Sequence, residues 1–239
     1  MTKYRDPLAH KEIENTTWAK LNWLRAAVLG ANDGIVSTSA IVVGVGAASN
    51  SLPLILTASV AGLIAGALSM AVGEYVSVST QRDSERAQLE HERYELENFP
   101  AEEQKELAVI YEKKGLSKET AEKVAGELTA RDAFAAHVDA ELGIDPNDLT
   151  NPLHAAYASG LAFTAGAIIP ILAVLLSPAS TRVLFTFISV AIALVITGFL
   201  SAKTTGVNKK RAVVRVLVGG IIAMLITFGI GKIFGVSGI

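Results

Sequence analysis

Cysteine is absent from this sequence of 239 residues, and its absence limits the chemistry available to the chain. Without thiols there is no disulfide framework and no thiolate ligand, so a bound metal must be held by oxygen, imidazole or thioether groups. Charged residues are also scarce, at 18% against 51% hydrophobic residues. Because the apolar residues form blocks too long for an ordinary soluble core, the composition predicts an integral membrane protein.

A secretory signal is another missing feature. The first 21 residues mix acidic and basic side chains and contain no apolar stretch followed by a small-residue cleavage site, so we expect no signal peptide. Trp18 and Trp23, with Lys20 and Arg25, instead indicate an amphipathic segment at the level of the lipid headgroups. The lack of a targeting extension favours the bacterial inner (plasma) membrane.

Five apolar blocks, at residues 26–48, 54–78, 155–177, 183–202 and 212–234, are each long enough to cross a membrane as a helix of roughly 20 residues. We therefore predict an all-α, polytopic membrane protein with five transmembrane helices. The connection between the last two blocks, KTTGVNKKR, is strongly basic and is predicted to be cytoplasmic. Tracing the chain back from it places the N-terminus and the long segment between blocks two and three in the cytoplasm too.

That long segment is acidic. Residues 81–150 hold 18 of the 23 Asp and Glu but 9 of the 21 Lys and Arg, a net charge of −9 against +7 elsewhere. The bases outside it lie mostly at the ends of apolar blocks, where they suit anionic lipid headgroups better than nucleic acid. Breaks at Pro100 and Gly115 predict three helices here, the last capped by Ser117 and reaching Leu142. The predicted divisions of the chain are residues 1–21, 22–80, 81–150 and 151–239.

Paired carboxylates are the most informative feature of the acidic segment. Spacing of three or four residues places the members of each pair on one face of a helix; the pairs are Glu92 with Glu95, Glu103 with Glu106, and His137 with Glu141. If the helices fold back on one another, these groups converge and need cations to offset their mutual repulsion. The alternative is a water-exposed, Glu-rich helix with intrahelical partners such as Arg86 to Glu90.

Two carboxylates fall within the predicted spans, Asp33 in the first and Glu74 in the second. Such residues are costly in a membrane and usually mark an ion or proton route. Met70 lies four residues before Glu74 and on the same face, so a thioether and a carboxylate could line one cavity suited to iron(II) or manganese(II). The alternatives are that Met70 is apolar filler and that Asp33 pairs with Asn32 or Arg25.

Small residues crowd the first two spans. Gly30 and Gly34, like Gly62 and Gly66, have the four-residue spacing that lets helix backbones approach closely in lipid. Packing within a protomer and packing across a dimer are both compatible with this pattern.

Taken together, these motifs resemble the vacuolar iron transporter family over nearly the whole chain. The resemblance rests on GANDGIVSTSAIVVGVGAA in the first span, AGALSMAVGEYVSVSTQRDSE in the second, the acidic segment and three further spans. It implies a homodimer of five-span protomers with a cytoplasmic three-helix metal-binding insert. It also implies proton-coupled export of iron(II) or related divalent ions, such as manganese(II), zinc(II) or cobalt(II), from the cytosol.

The resemblance also carries residue roles. Asp33 and Met70 match conduction-path positions, with Glu74 beside them, and the ligand positions of the insert match Glu92, Glu95, Glu103, Glu106 and Glu141. One departure concerns the two residues where plant-type members have a pair of methionines: this chain has His137 and Val138. An imidazole ligand keeps iron(II) and manganese(II) as candidate bound ions, and the ring must be neutral to bind either.

Two rival functions are weighed against transport. A membrane metalloenzyme would need a ligand-plus-base motif such as HExxH, and none occurs among the four scattered histidines. A metal sensor or store would explain the acidic segment but has no evident need for Asp33 and Glu74 at membrane depth. We therefore expect no enzyme activity, no organic cofactor and no nucleic-acid partner.

Overall fold

The computed structural model describes residues 7–146 and 149–237, with side chains described for residues 27–146, 149–203 and 205–235. All regular structure in these ranges is helical. The elements, in chain order, are α1 (Pro7–Ala48), α2 (Leu52–Asn98), α3 (Pro100–Lys113), α4 (Lys118–His137), a π-helix (Val138–Leu142), α5 (Pro152–Leu176), α6 (Arg182–Thr205) and α7 (Lys209–Ser237). The predicted side-chain roles of Trp18, Lys20, Trp23 and Arg25 lie outside the residues whose side chains are described.

Five of these helices are long and apolar enough to cross a membrane, which confirms the predicted number. The candidate spans are Ala27–Ala48, the apolar part of Leu52–Asn98, Pro152–Leu176, Arg182–Lys203 and Lys209–Gly235. The described chain divides into two compact units, one built from residues up to 76 and from 152 onward, the other from residues 77–151. The first unit contains α1, α5, α6, α7 and the part of α2 up to Val76, whereas the rest of α2 belongs to the second unit.

Glycines bring α1 and α5 into close contact inside the first unit. A Cβ atom on Gly34 would collide with the backbone carbonyl of Phe163, and one on Gly166 would collide with the carbonyl of Ala31. Gly30 is almost as crowded, because its Cβ would lie 2.8 Å from the carbonyl oxygen of Ser159. The small-residue spacing on α1 therefore serves packing within one protomer.

The glycines of α2 also contact residues of the same protomer. A Cβ atom on Gly62 would collide with the side chain of Ile41, and one on Gly66 would collide with the ring of Phe163. The first unit also has an apolar core between α1, α6 and α7. Its buried side chains include Ile35, Val43, Val190, Leu194 and Met224.

The second unit is short of apolar residues and depends on a small core. Leu107, Ala108 and Ala125 are buried where α3 packs on α4. Ser117 caps α4 by accepting a hydrogen bond from the Thr120 backbone N–H at 3.4 Å, and the preceding Gly115 adopts a φ of +103°. Both turn signals have the positions expected from the sequence.

One prediction for this unit is wrong in detail. The sequence predicts a single α-helix from Ser117 to Leu142, but the backbone departs from helical geometry at Asp132, with φ −165° and ψ 95°. The Asp132 carboxylate then accepts a hydrogen bond from the Ala135 N–H at 2.9 Å and starts the last turns of α4. From Val138 the chain forms a π-helix, which Gly143 ends at a φ of 63°.

Candidate metal centre

His137 is the centre of the carboxylate cluster in the second unit. It is the last residue of α4, immediately before the π-helix, and its side chain is 0% exposed. Its Nδ1 atom lies 3.0 Å from Glu92 Oε1 on α2, 3.6 Å from Glu103 Oε2 on α3, and 3.7 Å from Glu141 Oε2 on the π-helix. Four elements thus each supply one polar group to the same point.

Several polar atoms in this cluster are buried without a hydrogen-bond partner. They are both ring nitrogens of His137 and Oε1 of Glu92; the 3.0 Å approach between the two residues lacks hydrogen-bond geometry. Buried polar atoms are paired in the great majority of cases, so three such atoms at one place require an explanation. A cation bound between them satisfies the carboxylate oxygen and one ring nitrogen together.

The electrostatics of the cluster also favour a bound cation. Burial, followed by repulsion from Glu141 and Glu103 and from two further carboxylates, raises the pKa of Glu92 from 4.5 to about 7. Burial and the repulsion from Glu106 and Glu95 also raise the pKa of Glu103. Burial and like-charge repulsion disfavour the ionised form of both carboxylates. A divalent cation bound between them would offset that repulsion and stabilise the ionised form.

Glu95 and Glu106 belong to the cluster through their charge rather than through direct contact with His137. Glu95 is half-buried and its Oε1 lies 3.5 Å from Nε2 of the exposed His91, and Glu106 is exposed. Both contribute to the raised pKa values of Glu92 and Glu103. The sequence analysis assigned no role to His91, although its spacing of four from Glu95 was a visible signal.

Two cationic side chains hold the elements that carry these ligands. The guanidinium of Arg93 lies 4.7 Å from the centre of the Phe134 ring, which ties α2 to α4 one residue beyond Glu92. Lys114 donates a hydrogen bond from Nζ to the backbone oxygen of Ala140 at 3.1 Å, one residue before Glu141. Both contacts fix backbone next to a candidate ligand, and they act on separate helices.

The ligand set fits a divalent ion of borderline hardness. Ligand atoms of Glu92, His137 and Glu141 all lie within 4.8 Å of one another, and no other group of three such residues is found in the part of the chain that the structure describes. Carboxylates with one imidazole suit iron(II), manganese(II), cobalt(II) or zinc(II) better than copper(I), which prefers sulfur. Glu103 is close enough to His137 to act as a fourth ligand.

The predicted transport residues belong to the first unit, whereas the carboxylate cluster belongs to the second. Asp33 is exposed on α1 of the single protomer, and Met70 and Glu74 are partly buried on α2. The Ser37 hydroxyl donates a hydrogen bond at 2.6 Å to the backbone oxygen of Asp33, not to its side-chain carboxylate. The structure therefore places Asp33 on a surface that the protomer alone does not cover.

The fold and this site define a class: a helical membrane protein with five candidate spans and a separate, carboxylate-rich cluster that could hold a metal ion. The sequence model of the VIT family matches residues 24–232. A vacuolar iron transporter from Acanthamoeba castellanii is 43% identical, with 94% of this chain and 84% of the relative covered. Vacuolar iron transporter homolog 2 from Arabidopsis thaliana is 36% identical, with 95% and 94% covered.

A third relative, VIT-like transporter 1b from Glycine max, is also 36% identical, and the match covers 91% of this chain and 79% of that protein. Because the family model spans most of the chain and the match covers 79–94% of the length of these relatives, this protein belongs to the VIT family.

Proposed function

We propose that this protein is a homodimeric, proton-coupled transporter that exports divalent iron, manganese or both from the cytosol across a membrane. The observation that carries the proposal is the cluster of the buried Glu92, Glu103 and His137 with the exposed Glu141. The unpaired buried atoms of Glu92 and His137 and the raised pKa values of Glu92 and Glu103 favour a bound divalent cation. Relatives described as vacuolar iron transporters support metal-ion transport as the function.

In this proposal, residues 81–150 form a cytoplasmic metal-binding domain that collects the ion. Glu92, His137, Glu141 and Glu103 bind it directly, while the charges of Glu95 and Glu106 raise the local concentration of cations. The ion then passes to Glu74 and Met70 and is bound by Asp33 within the membrane. Binding at the insert requires deprotonated carboxylates, so loading is favoured at neutral rather than acidic pH.

Asp33 supports both the dimer and the coupling to protons. A carboxylate exposed to hydrocarbon costs several kcal/mol, about 3 on insertion scales, so its exposed position calls for a cover. The apolar window of α2 is also only 11% buried within the protomer, which leaves a face for a second copy. Two Asp33 carboxylates in a water-filled path between protomers would exchange an outgoing metal ion for incoming protons.

The basic connection of residues 203–211 supports a cytoplasmic N-terminus and insert, with α7 ending on the other side of the membrane. On this assignment, residues 1–21 are a headgroup-level segment, and residues 22–80 and 151–239 hold the spans. We propose the bacterial plasma membrane as the location.

Metal flux in proteoliposomes tests this function. Purified protein is reconstituted with a fluorescent metal indicator inside the vesicles, and iron(II) or manganese(II) uptake is followed with and without a pH gradient. Asp33→Ala should abolish uptake, whereas Glu103→Ala should lower the apparent affinity for the metal and keep transport. Metal binding to the wild type without any uptake would instead favour a sensor or store.

A further inference from the structure

A cavity of about 670 Å³ lies at one end of the helix bundle in the first unit. It is surrounded by the end of α1, the start of α2, the connection between α5 and α6, and the last turns of α7. This volume falls within the roughly 300–1,000 Å³ range of small-molecule binding sites. None of its lining residues belongs to the metal centre or to the proposed transport residues.

Two cations line this cavity, Arg182 at the start of α6 and Lys232 near the end of α7. Arg182 donates a hydrogen bond from Nη1 to the backbone oxygen of Asn50 at 3.1 Å, but its Nε atom is buried without a hydrogen-bond partner. The first turn of α6 adds unpaired backbone N–H groups, because Thr181 makes no side-chain cap. Both charged side chains that line the cavity are therefore cationic.

Among the residues of the first unit whose side chains the structure describes, Asp33 and Glu74 are the two acids. Residues 149–239 contain seven Lys and Arg and no Asp or Glu. The two acids within the spans are remote: Asp33 is about 20 Å along α1 from the cavity-lining Gly46, and Glu74 is about 28 Å along α2 from Ile55. Neither Arg182 nor Lys232 therefore has an acidic partner among these described residues, which leaves both charges available to an anionic ligand.

The remaining walls of the cavity are apolar and lead outward. Val42, Val174 and Phe187 line its inner side, while Leu184 and Leu225 line it and are 59% and 55% exposed. Exposed leucines on a span face hydrocarbon. The cavity thus combines a cationic head with an apolar exit to the bilayer, which matches an amphiphile better than a free inorganic anion.

We propose that this cavity binds an anionic phospholipid, with its phosphate held by Arg182 and Lys232 and its upper acyl carbons against Leu184 and Leu225. The two cations favour an anionic headgroup, and the exposed leucines favour a ligand with acyl chains. The bound lipid seals the end of the bundle where α1, α6 and α7 meet. This inference does not depend on the proposed transport function.

Lipid binding to the purified full-length protein tests the proposal by native mass spectrometry. The protein in detergent is titrated with dioleoyl phosphatidylglycerol and, separately, with dioleoyl phosphatidylcholine. We expect the anionic lipid to bind at least tenfold more tightly, and Arg182→Gln to weaken it about tenfold because a charge-assisted hydrogen bond is lost. Lys232→Gln should weaken it less, about threefold, because Lys232 is exposed.

One control variant and one second test variant complete the experiment. Arg131→Gln removes one exposed arginine from α4 and should leave lipid binding unchanged. Ala179→Phe fills the cavity from an exposed turn without changing charge and should also weaken binding, so the test survives if Arg182→Gln does not fold. Equal affinity for both lipids, an unchanged Arg182→Gln or Ala179→Phe protein, or full displacement of the lipid by equimolar inorganic phosphate would overturn the proposal.

Discussion

Removing the charge of Glu92 should stabilise the metal-free protein and weaken metal binding at the same time. Burial and neighbouring carboxylates raise the pKa of Glu92 from 4.5 to about 7. A carboxylate with a higher pKa in the folded state binds more protons there than in the unfolded state. The free energy of unfolding should therefore fall as the pH rises from about 4.5 and become constant above about 7.

The size of this effect follows from the pKa change. One pKa unit corresponds to about 1.4 kcal/mol, so Glu92 lowers the free energy of unfolding by at most about 3 kcal/mol at pH 8 relative to pH 4.5. Glu92→Gln removes the ionisation and most of this pH dependence. A divalent cation at one hundred times its dissociation constant should raise the free energy of unfolding of the wild type by about 2.7 kcal/mol.

Amide hydrogen exchange of the full-length protein in chelator-containing detergent measures this effect. Opening free energies of the α3 segment around Leu107, corrected for intrinsic exchange at each pH, report on the second unit. Glu127→Gln, on an exposed position of α4, is the matched control and should behave like the wild type. A metal-free wild type equally stable at pH 5 and pH 8, or a Glu92→Gln variant with unchanged pH dependence, would refute the reasoning.

Three further predictions concern the metal centre and the packing of the spans. His137→Ala removes the one imidazole ligand and should weaken manganese(II) binding by roughly tenfold or more, as measured by electron paramagnetic resonance of free manganese; unchanged affinity would exclude His137 as a ligand. Glu95→Gln removes a repulsive charge from Glu92 and Glu103, so the midpoint pH of metal binding should move downward, and a midpoint that stays or rises would contradict this electrostatic account. Gly34→Ala forces a Cβ atom into the Phe163 carbonyl and should cost about 1–3 kcal/mol, measured as a lower melting temperature in detergent. Gly229→Ala, which meets no neighbour within 4 Å, is its control, and equal melting of the two variants would contradict the packing.

Much of the fold was predictable because membrane spans and helix ends have strong local signals. A block of about 20 apolar residues has few structural alternatives, and Pro100, Gly115 and Ser117 mark turns through their own backbone chemistry. The kink at Asp132 and the following π-helix were missed. Neither has a sequence signal as strong as a proline, because Asp is compatible with both helix and cap positions.

The candidate site was predictable in its members but not in its geometry. Spacing places Glu92 with Glu95 on one face, yet it cannot tell that Glu92 is buried at 3% exposure while its partner is only half covered. That difference arises from how α2, α3 and α4 pack in three dimensions. Glu141 likewise lies on a π-helix, with its Oε2 atom 3.7 Å from Nδ1 of His137, and the spacing of four residues does not predict that type of helix.

The most direct test of the account is a paired measurement of proton and metal flux in proteoliposomes under a clamped pH gradient. Internal manganese(II) and internal pH are recorded together for the wild type and for Asp33→Ala. The account predicts metal uptake that depends on the gradient and is matched by proton movement in the opposite direction, with both fluxes lost in the variant. Metal uptake with no accompanying proton flux, or proton-coupled uptake that persists in Asp33→Ala, would contradict it.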